Sequence, residues 1–282
     1  MGNAPIVVGV DGSSWSEAAL DWAAAEAVRR DTTLTVLYAF EWPIMGVPFS
    51  AIPTGYDPRQ PARRLVLRMA DRARALVPSL QVTSRLENGP PVRRLLSAAD
   101  RASLVVVGSR GLGGFSGLVV GSVSLQVAEH CDRPVVVVRG DGPARTDGPV
   151  VVGVDGPAGD PAIGWAFEEA AARRTGLVAV RVWPTGPTPA PDPGDPAERD
   201  VAAASHEQLE RWHQKYPQVP LEMRDLRGHA AALLAEQSAA AQLVVVGARG
   251  RGGFAGLLLG SVSQGVLRQA RCPVAVVRDC SA

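Results

Sequence analysis

Residues 108–122 read GSRGLGGFSGLVVGS, and residues 247–261 read GARGRGGFAGLLLGS, with ten of fifteen positions identical. Each tract follows an apolar run, Leu104 to Val107 or Leu243 to Val246, and ends on a Gly-Ser pair that opens a helical pattern. A glycine-rich turn from strand to helix suits phosphate. Gly108, Gly111 and Gly121, with Gly247, Gly250 and Gly260 in the second copy, are expected to supply positive φ, so that successive N–H groups turn inward as an anion nest. The helix that follows presents N–H groups without intrahelical partners at the positive end of its macrodipole. Ser122 and Ser261 add hydroxyls, and Arg110 and Arg249 could add charge-assisted contacts.

No lysine stands in either tract, and the spacing Gly-x4-Gly-Lys-Ser/Thr is missing. Lys215 is the single lysine among 29 basic residues, which also disfavours Schiff-base chemistry. The residues therefore point to anion binding by main chain more than to hydrolysis, which needs fixed charge and an oriented water. A slow ATPase or (auto)phosphotransferase, with Ser122, Ser124, Ser261 or Ser263 as acceptor, is the alternative. A dinucleotide oxidoreductase is disfavoured, because its glycine fingerprint belongs after the first strand, whereas these tracts follow the fourth.

The elements that position the tracts also repeat. IVVGVDG at 6–12 matches VVVGVDG at 150–156, and PVVVVR at 134–139 matches PVAVVR at 273–278. Two tandem domains are expected, 1–140 and 148–282, joined by a linker at 141–147 within the Gly/Pro/Asp-rich stretch 140–149. In the first copy, strands are expected at 6–10, 34–40, 81–86, 104–107 and 134–138. Helices are expected from Ser16 to Arg30, capped by Ser14 with Glu17 as a capping box, and at 92–101 and 122–130. The second copy has strands at 150–154, 178–183, 221–226, 243–246 and 273–277. Its helices run through Trp165, capped by Asp160, and over 230–241 and 261–270. Continuous Val/Ile/Leu strands alternating with helices imply a parallel, doubly wound α/β sheet in each copy. Asp11 and Asp155 end the first strands. If the order is 3-2-1-4-5, strands 1 and 4 are neighbours, and each aspartate shares one crevice with its glycine tract.

An apolar share of 46% with 20% charged residues is that of a globular domain, and a net charge of +1 argues against a nucleic-acid footprint. No apolar run approaches the ~18 residues of a membrane span and no leader pattern is visible, so a cytoplasmic chain without membrane insertion is expected. Cys131, Cys272 and Cys280 form no metal-ligand spacing and read as reduced thiols. His130, His206, His213 and His229 occupy no matching positions in the two copies; His206 and His213 could share a helix face.

VVGVDGS, Gly-x2-Gly-x9-Gly-Ser, the following GSVS and the terminal Pro-Val-x-Val-Val strand together resemble the universal stress protein family in its tandem, ATP-binding form, over essentially the whole chain. The resemblance implies two Rossmann-like domains of the adenine nucleotide alpha hydrolase-like type, each with five parallel strands in the order 3-2-1-4-5. It implies ATP, with or without Mg, as ligand. One site would comprise Gly9, Asp11, the end of strand 2 at Ala39, and Gly108, Ser109, Arg110, Gly111, Gly113, Gly114, Gly121, Ser122 and Val123. The other would comprise Gly153, Asp155, Val182, Gly247, Ala248, Arg249, Gly250, Gly252, Gly253, Gly260, Ser261 and Val262. In the second copy Pro157 stands where Ser13 does in the first, removing an N–H, so weaker binding is expected there. The resemblance also implies that the two fifth strands pair as an intramolecular pseudo-dimer, with a homodimer of chains as a further step. It implies a nucleotide-dependent regulator of growth or stress and dormancy survival that acts through protein partners rather than as an enzyme.

Overall fold

A computed structural model describes residues 4–41, 57–112, 120–139, 145–156, 160–183, 196–249 and 258–279. The first half runs β1 (Ile6–Gly9), α1 (Ser14–Arg29), β2 (Leu34–Phe40), α2 (Gln60–Leu76), β3 (Val82–Asn88), α3 (Pro91–Ala99), β4 (Leu104–Gly108), α4 (Ser122–His130) and β5 (Val135–Val138). The second runs β6 (Val150–Val154), α5 (Asp160–Arg173), β7 (Leu177–Trp183), α6 (Pro196–Lys215), β8 (Leu221–Arg227), α7 (Ala230–Gln237), β9 (Leu243–Gly247), α8 (Ser261–Gln269) and β10 (Val274–Val277).

The strands form one sheet in the order β3-β2-β1-β4-β5-β10-β9-β6-β7-β8, so each half has the order 3-2-1-4-5. Pairing is parallel within each half and antiparallel between β5 and β10, centred on Val136 opposite Ala275. This joint is why Val135–Val138 and Val274–Val277 are buried on both faces. An apolar edge that would invite another chain is covered by its own repeat. One layer of the core lies under α1, α2, α5 and α6, the other under α3, α4, α7 and α8.

Helix α2 was not among the expected elements. Its buried Ala62, Val66, Met69, Ala70 and Ala73 recur with helical spacing, Pro61 sits in its first turn, and arginines fill its outer face. The cap of α1 also differs from expectation. Ser13, not Ser14, is the N-cap, and its hydroxyl accepts from the Ser16 N–H at 3.2 Å. Asp160 is already the first residue of α5, and its carboxylate accepts from the Trp212 indole N–H at 3.1 Å. Helix α7 ends at Gln237, four residues before the expected end.

Two sets of side chains tie the halves together. On the α1/α5 face, Trp22, Glu26 and Arg30 recur as Trp165, Glu169 and Arg173 with the same four-residue spacing, one stripe per helix. Arg173 reaches Glu26 at 2.6 Å and Glu169 at 2.8 Å, while Arg30 reaches Glu26 at 2.7 Å and also bonds Glu169. Each arginine stacks on the other half's tryptophan, Arg30 over Trp165 at 5.3 Å and Arg173 over Trp22 at 5.4 Å. Burial pushes the Glu26 carboxyl up, but Arg173, Arg30 and Arg29 outweigh it and hold the group below its ordinary range. On the opposite face Arg139, at the end of β5, donates to the Leu267 carbonyl of α8. Arg278, beyond β10, donates to the Glu129 and Cys131 carbonyls at the end of α4. Each terminal arginine thus sits at the negative end of the other half's helix.

Candidate functional site

The order 3-2-1-4-5 opens a crevice at the carboxyl ends of β1 and β4, where the connections leave on opposite faces of the sheet. In the first half this crevice is a cavity of about 390 Å³. Its apolar lining, Leu37, Ala39, Leu95, Val107 and Val123, belongs to one packed cluster. Its polar end is Asp11, Arg110, Gly111, Gly121 and Ser122, where the Asp11 carboxylate meets the glycine tract. Of the expected residues, Gly9, Asp11, Ala39, Gly108, Arg110, Gly111, Gly121, Ser122 and Val123 meet there.

Ser109 is buried beneath the tract; its N–H donates to Val138 and its carbonyl accepts from Gly121 N–H at 2.7 Å, closing the loop on itself. Gly113 and Gly114 lie outside the described residues. Leu37, Leu95, Val107, Pro91 and Ser16 also line the cavity but were not singled out from sequence. The inward register of β2 and β4 and the apolar stripe of α3 carry that signal.

The polar end rests on α4. Gly121 is its N-cap, with φ −71, and no side chain caps the helix. The first N–H groups of α4 therefore lack intrahelical partners and face the exposed Ser122 end of the cavity. Ser124 is buried, and its hydroxyl donates to the Gly108 carbonyl at 2.6 Å, so it holds the tract to the helix.

None of the described tract glycines has the expected positive φ, and Gly108 and Gly111 act by close approach instead. Among the described glycines positive φ occurs at Gly12 (+90) and Gly156 (+70), just past the aspartates, and at Gly89, Gly148 and Gly228. At Gly108 a Cβ would sit 2.6 Å from the Trp15 carbonyl oxygen, and at Gly111 one would sit 2.5 Å from Asp11 Oδ2. Only hydrogen fits at either place.

Asp11 accepts from the Ser13 N–H at 2.9 Å and the Ser13 hydroxyl at 2.6 Å through Oδ1, and from the Leu112 N–H at 2.8 Å through Oδ2. The carboxylate therefore ties the glycine tract to the β1–α1 turn. The aspartate and the tract share one crevice, as expected, and they bond directly within it.

The second half repeats the frame. Gly153 lies in β6 and Asp155 directly follows it, Val182 lies near the end of β7, and Gly247 ends β9. Ala248 takes the place of Ser109, donating to Val277 and accepting from Gly260 at 2.8 Å. Ser263 repeats the Ser124 bond, donating to the Gly247 carbonyl at 2.6 Å. Gly260 is the N-cap of α8, again without a side-chain cap, and Ser261, Val262 and Arg249 are exposed beside it. Gly250, Gly252 and Gly253 lie outside the described residues, as does Pro157.

The universal stress protein family model matches residues 2–139 and again residues 148–278. The chain belongs to the universal stress protein family. A universal stress protein of Mycolicibacterium smegmatis is 38% identical over 292 residues, spanning 97% of this chain and 96% of the relative. Universal stress protein Rv2005c of Mycobacterium tuberculosis is 36% identical over 289 residues, with 97% of each chain covered. A universal stress protein of Archaeoglobus fulgidus of known crystal structure is 19% identical and superposes with a TM-score of 0.71 over 99% of both chains, which shows a shared fold.

Other groups singled out from sequence stand apart from the universal stress protein cavity. Cys131 and Cys272 are free and buried, their thiols pushed by burial to about 11 and about 12. Cys280 lies outside the described residues. His206 sits 3.8 Å from Glu210, while His213 stacks against Phe167 at 6.3 Å. No cluster of three or more metal-ligating side chains occurs among the described residues, and none of their helices is long and apolar enough to cross a membrane.

Proposed function

We propose that the first half binds ATP, with its adenine in the slot between Leu37, Ala39, Leu95 and Val107 and its phosphates at the start of α4 beside Arg110. The observation that carries this reading is a cavity lined by apolar side chains together with an uncapped helix start and an arginine. A flat base desolvates well against Leu and Val, and a polyphosphate is matched by main-chain N–H groups and a guanidinium. Mg²⁺ would arrive with the nucleotide, held by phosphate oxygens and water. The repeat of the frame in the second half supports a second site of the same kind.

The protein acts as a binder and not a hydrolase. Asp11 is engaged with Ser13 and Leu112, so it is not poised to orient an attacking water, and the Ser124 hydroxyl is spent on Gly108. Nucleotide occupancy then sets the surface offered to protein partners that adjust growth or stress survival. The proposed setting is the cytoplasm, with association between chains a further step.

Isothermal titration with ATP tests the reading, together with identification of any nucleotide that copurifies. Ser122→Asp with Ser261→Asp puts a carboxylate at each helix start, where it favours the helix and repels phosphate. ATP binding should disappear while the melting temperature holds. At about 100 times the Kd, ATP should stabilise the unaltered chain by ~2.7 kcal/mol. A chain that neither carries nor binds adenine nucleotide refutes the proposal.

A further inference from the structure

We propose that Trp15 is a positioning residue that holds Arg110 over the phosphate end of the first cavity, so that this arginine is already ordered when an anionic ligand arrives. This rests on the nucleotide-binding reading above. Trp15 stands in the first turn of α1, and its main chain is fixed against the glycine tract, since its carbonyl fills the space where a Gly108 side chain would go. Its ring lies under the Arg110 guanidinium, 5.1 Å from the centroid. Arg110 itself lines the cavity next to Gly121 and Ser122, where the N-terminus of α4 opens.

An exposed arginine on a loop spreads over many rotamers, and ordering it on binding costs entropy. Stacking on an indole face removes much of that freedom in advance, and it leaves the in-plane N–H groups of the guanidinium free to donate. The arrangement therefore preorganises a fork of donors beside the helix start. A second cation is close by: burial, then the neighbouring Arg110 charge, hold Arg139 below the usual arginine range.

The second copy has the arginine but not the platform. Arg249 matches Arg110, while the positions 143 and 144 residues beyond Trp15, the intervals that relate α1 to α5 and Asp11 to Asp155, are Ala158 and Gly159. Neither offers a ring. The second tract also carries Arg251 where the first has Leu112, so the halves present different arginines to phosphate, and the indole platform belongs to the first.

The test uses the full chain carrying Ser261→Asp, so that the first cavity alone is read, with ATP and adenosine as paired probes. Trp15→Leu keeps apolar bulk without a π face, and Trp15→Phe restores one. Trp15→Leu should weaken ATP by about two- to fivefold, the worth of an exposed cation–π contact, and leave adenosine unchanged. Trp15→Phe should bind both as the parent does. In an Arg110→Ala background, Trp15→Leu should cost nothing further. Equal weakening of ATP and adenosine, or Phe and Leu behaving alike, overturns the role given to Trp15 while leaving nucleotide binding intact. A parent chain that binds neither probe overturns the nucleotide reading itself and this inference with it.

Discussion

Replacing Arg173 by Met tests the buried charge cluster between α1 and α5. The Arg173 side chain is 3% exposed, and its partners Glu26 and Glu169 are 0% and 1% exposed. At an effective dielectric of about 20, each guanidinium–carboxylate attraction is about 4 kcal/mol, and most of it offsets the desolvation of the ions. Removing one partner forfeits the attraction but keeps the carboxylates buried, a loss of about 3–5 kcal/mol. Arg29 and Arg30, 27% and 21% exposed, still face Glu26, which places the expected loss near the lower figure, ~3 kcal/mol. Trp22 also loses its stacked cation. Equilibrium urea unfolding followed by tryptophan fluorescence measures the change. Replacing Glu26, Arg30, Glu169 and Arg173 together by Leu and Met should instead leave stability within ~2 kcal/mol of the original or raise it, because the one cation left, Arg29, is 27% exposed. A loss below ~1 kcal/mol for Arg173→Met, or a fourfold variant as weak as the single one, would refute the reasoning.

Gly108→Ala puts a methyl 2.6 Å from the Trp15 carbonyl oxygen, whereas Gly121→Ala, at φ −71, meets nothing nearer than 3.5 Å. Thermal melts should therefore show a loss of about 1–3 kcal/mol for the first and almost none for the second. Cys131 and Cys272 should resist iodoacetamide at pH 8 in the native chain, as peptide mass spectrometry would show. Their native values of about 11 and about 12 lie above the ordinary thiol value. Their contribution to stability is thus complete below pH ~8.5 and is lost as pH rises toward those native values, since the unfolded thiols ionise first. Arg278→Met removes the donors at the Glu129 and Cys131 carbonyls. Amide exchange at the end of α4 should quicken, reflecting about 1–2 kcal/mol of local stability.

Much of this architecture was legible in the sequence. Strands buried on both faces stand out as unbroken runs of valine, and the repeat of Asp11 and Gly108 at Asp155 and Gly247 marks the repeated frame. Residues of one element hid more. In α2 the arginines at 63, 64, 68, 72 and 74 mask a weak apolar stripe built largely of alanine. The Trp22, Glu26, Arg30 triplet recurs at an interval of 143, while the aspartates recur at 144. That slip of one residue conceals the match until α1 and α5 are seen side by side. The tract glycines were read for torsional freedom, but what excludes a side chain is the Trp15 carbonyl and the Asp11 carboxylate, both distant in sequence. Likewise Asp11 looks available until Leu112, 101 positions away, is found donating to it.

The central joint between β5 and β10 changes how the molecule responds to dilution. Two separate polypeptides meeting along such a border would come apart as their number in the cell fell. Here the borders are leashed by the dozen or so residues between Val138 and Val150, which keep them at an effective millimolar concentration whatever the copy number. Even a few molecules per cell therefore have their two halves already joined.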